Sequence, residues 1–149
     1  MNNDQQSETV LISCDHAGFD LKERLKRELS NQGIGVHDMG PDSADRVDYP
    51  DMIHPVARAV NEGRYRRGII ICGSGNGVAM TANKYPNVRA GVSWNPEIAE
   101  LARLHNDANV LSLPARFITE EVAIECVNKF LHTEFEGGRH ATRVDKIAI

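Results

Sequence analysis

At 149 residues the chain is long enough for one domain with a substantial core, and its 41% hydrophobic and 26% charged content is ordinary for a globular protein in water. The net charge of −4, with no continuous stripe of Lys or Arg, argues against a nucleic-acid partner. No apolar stretch is long enough to span a bilayer, so no membrane association is expected.

The polar start, MNNDQQSET, lacks a charged-then-apolar signal pattern, and residues 1–8 are expected to form a disordered lead-in to a single domain over 9–149. Residues 9–14 (TVLISC) read as a first strand. Leu21, Leu25 and Leu29 then recur at four-residue intervals among Lys, Arg and Glu, the pattern of a helix with one apolar face. Gly33-Ile34-Gly35 breaks the chain, residues 35–39 read as a short second strand, and residues 40–48 as a polar loop. Tyr49-Pro50 precedes a helix carrying Ile53, Val56, Ala57 and Val60, which Gly63 closes. Residues 68–72 form the third strand, and a helix-compatible stretch at 78–84 follows a glycine-alternating turn. Residues 88–93 are the fourth strand. Asn95-Pro96-Glu97 then gives a cap, a proline at the first helical position and an acid. Residues 109–113 are the fifth strand, a helix opens after Thr119 and runs to about Leu131, and a last helix is expected around 143–147. Strand–helix alternation at this spacing predicts a Rossmann-like three-layer α/β sandwich, a five-stranded parallel sheet with helices on both faces.

Ligands of such sheets lie at the carboxyl ends of the strands. That test selects Asp15 and His16, the Tyr49 loop, residues 72–77, Ser93 with Trp94, and Arg116. The turn Gly73-Ser74-Gly75-Asn76-Gly77 joins a buried strand to a helix N-terminus, a cradle of N–H groups suited to an anion. Val78 stands where a dinucleotide fingerprint has its last glycine, so a phosphate or oxyanion cradle is the better reading, and no cofactor or metal is expected. Cys72 stands beside donors that stabilise a thiolate, whereas Cys14 and Cys126 read as packing residues. Three widely spaced cysteines without a CxxC suit a reducing cytoplasm.

Other residues admit two readings on pattern alone. Asp15 is a cleft carboxylate or a cap. His105 is an acid/base or a residue favoured at a helix C-terminus, and Asn106 an oxyanion donor or a helix cap. Arg139 and Arg143, four apart on one helical face beside His140, are a phosphate clamp or a solvated tail. His37, His54 and His132 have no partner visible in the sequence.

Five segments in order resemble the signatures of the B-type ribose-5-phosphate isomerases, within the family of B-type sugar-phosphate isomerases that includes galactose-6-phosphate isomerase subunits. They are CDHAGFDLK (14–22), DYPD (48–51), CGSGNGVAMTANK (72–84), RLHNDANVL (103–111) and EGGRHATRV (136–144). The resemblance implies a metal-free, cytoplasmic aldose–ketose isomerase of the pentose phosphate route that works through a cis-enediolate, as a homodimer or dimer of dimers. It assigns Cys72 as general base. The N–H groups of Gly73 to Gly77 and the Asn106 side chain become the oxyanion site, and Ser74 lies close to the reacting carbons. It gives His105, with Asp15, the opening of the sugar ring. His16, Tyr49, Arg116, Arg139, His140 and Arg143 bind hydroxyls and phosphate, the tail arginines on the neighbouring subunit's site. A family branch that lacks the cysteine uses a Glu just after the glycine turn, where this chain has Val78. The alternatives are a six-carbon aldose 6-phosphate of allose or galactose type as substrate, and a non-catalytic sugar-phosphate binding module.

Overall fold

Five short apolar strands decide the architecture. They are β1 (Val10–Cys14), β2 (Val36–Asp38), β3 (Arg67–Cys72), β4 (Ala90–Val92) and β5 (Val110–Pro114), in a computed structural model that describes residues 8–149. All pair in parallel, in the order β2-β1-β3-β5-β4, the arrangement expected from the alternation. The lead-in expected over residues 1–8 lies outside the described residues except for Glu8, which is exposed. Every residue of β1 and β5 is buried, as is β3 beyond its first residue. A sheet covered on both faces buries both sides of its central strands, so these read as continuous apolar runs without alternation. The edges, β2 and β4, are three residues each and only partly buried.

Alternate residues of each central strand face opposite layers. Ile12, Ile69 and Leu111 pack with α1 (Phe19–Asn31), α4 (Pro96–Leu104) and α5 (Glu120–His132) through Leu25, Leu29, Ala99 and Phe130. Leu11, Ile70 and Val110 pack on the other face with α2 (Tyr49–Asn61) and α3 (Asn76–Ala82) through Ile53, Val56, Val60 and Val78. The chain ends in α6 (Arg139–Asp145). Among the described residues no helix is long and apolar enough to cross a membrane.

The capping signals operate as the sequence suggests. Asn95 accepts from the Ile98 N–H at 2.9 Å, and Thr119 from the Val122 N–H at 3.1 Å. Two expectations need correction, and two histidines gain partners that the sequence does not show. The last helix starts four residues before the expected 143, because Gly137 and Gly138 (φ 73° and 59°) make the left-handed turn that lets Arg139 begin it. The fourth strand is shorter than 88–93, because the Asn109 and Asn83 side chains accept from the N–H groups of Arg89 and Ala90. His37 and His54 do have partners, the hydroxyls of Tyr65 (3.1 Å) and Tyr85 (2.8 Å).

One buried charge locks the crevice side of the sheet. Lys22, on the core-facing side of α1, is fully buried and lies 5.3 Å from the centroid of the Phe19 ring. It donates to both carboxylate oxygens of Asp38 (2.8 and 2.7 Å) and to the Pro41 carbonyl (2.8 Å). Asp38 also accepts from Lys26 at 2.7 Å and from the Gly40 N–H at 2.8 Å. Burial alone would raise the Asp38 carboxyl; the hydrogen bonds from Lys22, Lys26 and Gly40 outweigh it and hold the group below its ordinary value of 3.8.

Removing one member of such a pair strands the other. Lys22→Ala should lower the unfolding free energy by about 3–5 kcal/mol in urea titrations at neutral pH. A carboxylate with a depressed folded pKa contributes stability above its unfolded value and loses it as pH falls. The stability gap between the wild type and Asp38→Asn should therefore be full above about pH 4 and close as the solution is acidified. A gap that does not change with pH would remove Asp38 from this role.

Candidate active site

The sheet order sets where a ligand can enter. From β1 the chain steps out to β2 on one side and returns to β3 on the other, so the strand order reverses between β1 and β3. In sheets of this kind ligands bind outside the carboxyl ends of those two strands. Residues 15–18 and 72–77 leave from those ends.

At the β1 end, Asp15 accepts from the N–H groups of Ala17 (2.9 Å) and Gly18 (3.3 Å), so its carboxylate caps the short 3-10 turn His16–Gly18. Its own N–H donates to the Ile71 carbonyl at 3.1 Å, stitching this turn to β3. Gly18 permits the close approach: a Cβ there would lie 2.7 Å from Ile71 Cγ2. His16 is half-buried, and its Nδ1 accepts from the Val47 N–H at 3.4 Å, which draws the loop of residues 40–48 to the crevice.

At the β3 end, Cys72 is buried on the α2/α3 face of the sheet. Gly75 adopts φ 77° and caps α3, and its carbonyl accepts from the buried Ser112 hydroxyl at 2.6 Å. Ser74 is exposed and its Oγ accepts from the Asn76 N–H at 3.2 Å. The other N–H groups of the first turn of α3 have no intrahelical acceptor. Two side chains wall the turn. Arg116 lies over Gly73, where a Cβ would come within 3.2 Å of its guanidinium, and Tyr49 lies over Gly77, where a Cβ would sit 2.6 Å from the ring. Glycine at both positions is what lets these side chains approach the backbone. Burial pushes the Cys14 thiol up to about 12 and the Cys126 thiol up to about 11, which makes both inert packing groups at neutral pH.

The remaining candidates gather at the other end of the sheet. His105 caps the C-terminus of α4, which runs antiparallel to the strands, and Asn106 follows it, exposed, just before β5 begins. His140 on α6 stacks on His105 with ring centroids 4.1 Å apart and planes 10° from parallel. The Glu136 N–H donates to the Leu104 carbonyl at 3.1 Å and fixes the tail there. Arg139 and Arg143 are exposed on the same helix. The six residues of β3 separate this group from Cys72 by about 17 Å at ~3.3 Å per residue. Among the described residues, the two groups of candidates stand at opposite ends of the sheet.

Ser112, Val47 and Glu136 were not visible as site residues in the sequence. Ser112 is a hydroxyl within an apolar strand, a signal available but not decisive. Val47 acts through its backbone, which no side-chain pattern reports.

Comparison with known proteins shows the family. A family model described as Ribose/Galactose Isomerase matches residues 10–147. The ribose-5-phosphate isomerase B of Escherichia coli (strain K12) is 42% identical over 138 residues, covering 93% of each chain. The crystal structure of a ribose 5-phosphate isomerase from Thermotoga maritima superposes with a TM-score of 0.92 at 44% identity, covering 94% of this chain and 97% of that one. The ribose-5-phosphate isomerase B of Mycoplasma genitalium, solved with bound ribulose-5-phosphate, gives 0.89 at 42% identity, with 93% of each chain covered. The chain belongs to the ribose/galactose isomerase family.

Proposed function

We propose that this protein interconverts ribose 5-phosphate and ribulose 5-phosphate through a cis-enediolate. The observation that carries the reading is the turn at residues 73–77. It starts beside Cys72 at the strand-order reversal, is walled by Tyr49 and Arg116, and directs helix N–H groups outward. The relatives named for this activity, one of them binding ribulose-5-phosphate, support the choice of a pentose.

In this mechanism Cys72, as thiolate, removes the proton from C2 of the open-chain aldose and returns it to C1, while the hydroxyl proton of O2 passes to O1 within the enediolate. The enediolate oxygen gathers negative charge as the proton leaves. The N–H groups of the Gly73–Gly77 turn that no side chain engages, with the Asn106 side chain, stabilise it, each such donor being worth about 3–4 kcal/mol. Ser74 lines the reacting carbons. His105 opens the furanose by moving a proton between the anomeric hydroxyl and the ring oxygen, and Asp15 holds the turn on which His16 meets the sugar. His16, Tyr49, Arg116, Arg139, His140 and Arg143 take the hydroxyls and phosphate, where planar guanidiniums give paired donors.

The separation of the two groups supports a homodimer in which the amino-end group of one copy, His105 to Arg143, faces the carboxyl-end group of the other. Trp94 and Phe117, 54% and 75% exposed on the loops after β4 and β5, give that face apolar surface for a second copy to cover. Three unpaired cysteines support a reducing, cytoplasmic setting.

Cys72→Ala should keep the fold by circular dichroism and bind phosphate, yet lose at least ~100-fold in kcat; near wild-type turnover would remove Cys72 as the base. Mixing inactive Cys72→Ala with inactive His105→Asn, after unfolding and refolding together, should restore turnover that neither has alone. Mixed dimers then hold one site with both groups intact. A mixture as inactive as its components would contradict the shared site.

A further inference from the structure

At the end of the sheet away from the glycine turn, the tail adds Glu136, a carboxylate the isomerisation does not use, to two histidines. His105, Glu136 and His140 each offer one ligand atom, and these atoms lie within 4.8 Å of one another. Nε2 of His105 is 3.8 Å from one Glu136 oxygen and Nε2 of His140 is 3.9 Å from the other. His140 is 6% exposed, and its Nε2 is buried without a hydrogen-bond partner. A buried imidazole nitrogen normally finds an acceptor or donor, and one left open toward a carboxylate and a second imidazole points to an absent ligand.

We propose that His105, Glu136 and His140 form a site for a divalent transition-metal ion of the Zn²⁺ class, and that an ion bound there withholds His105 from the sugar. Two imidazoles and a carboxylate are the borderline-soft donors that zinc takes, whereas Mg²⁺ and Ca²⁺ prefer oxygen alone. Three protein ligands leave a fourth position open for water. Zn–N bonds of about 2.0–2.1 Å require the donors to close in from their present spacing and the two stacked rings to splay. His140 is the fixed member. His105 at a helix end and the exposed Glu136 supply the movement. The nearby Arg139 and Arg143 oppose a bare cation, and Glu136 offsets them.

The inhibitory consequence rests on His105 serving ring opening; the binding site does not. Untagged, chelator-treated protein would be titrated with ZnCl₂ by calorimetry, and turnover followed in parallel. One ion per chain is expected. His140→Ala and Glu136→Gln should each weaken binding at least tenfold, while Cys72→Ser binds like the wild type. Glu136→Gln serves as the check should His140→Ala fail to fold. Binding lost in Cys72→Ser and kept in Glu136→Gln would overturn the site and move the ion to the thiol, as would no binding at all. Binding at the three residues without loss of turnover would uphold the site and overturn the role given to His105.

Discussion

The Lys22–Asp38 pair is the constraint on which the crevice side of the molecule depends. A lysine with no exposed surface requires its charge to be matched where it stands. The match comes from β2 and from the Pro41 carbonyl at the start of the following loop. Ser13 on β1 adds a hydrogen bond to the Gly40 carbonyl at 2.8 Å. Strand, helix and loop thus meet at one point, just behind the turn that carries Asp15 and His16. The loop cannot move away from the crevice without breaking contacts to a buried cation, so the first wall of the site is fixed before any ligand arrives.

The second wall is fixed by glycine. Arg116 and Tyr49 come from elements distant in sequence, and each reaches the backbone of the turn because Gly73 and Gly77 carry no side chain. Ser112 holds the turn from below through the Gly75 carbonyl. The result is a backbone surface preorganised to receive negative charge, with the buried Cys72 at its edge. The group His105 to Arg143 stands apart from it, because the antiparallel run of α4 carries that group to the other end of the sheet.

How far the sequence could be read follows from these particulars. The layers were legible because the apolar runs and the leucine spacing of α1 are period signals. The caps at Asn95 and Thr119 were legible because capping uses side chains. The strand-end candidates were legible because parallel sheets put ligands there. The start of α6 and the trimmed β4 were missed because backbone turns and side-chain interlopers decided them locally. The ion pair of Lys22 was missed because its partner lies sixteen positions away on a strand whose packing the pattern does not reveal. That His105 and Cys72 lie at opposite ends is a consequence of helix direction, invisible to a reading that treats candidates as one set.

The contact between Val47 and His16 fixes more than the loop. A backbone N–H can only donate, so the His16 Nδ1 that faces it is the accepting nitrogen of the ring. The ring proton is then on Nε2. A loop amide thereby chooses the tautomer, and the imidazole offers a hydrogen-bond donor at Nε2. Such a donor matches the oxygens of a phosphorylated sugar and not a cation. The polarity of this corner is thus set by the main chain of a neighbouring loop.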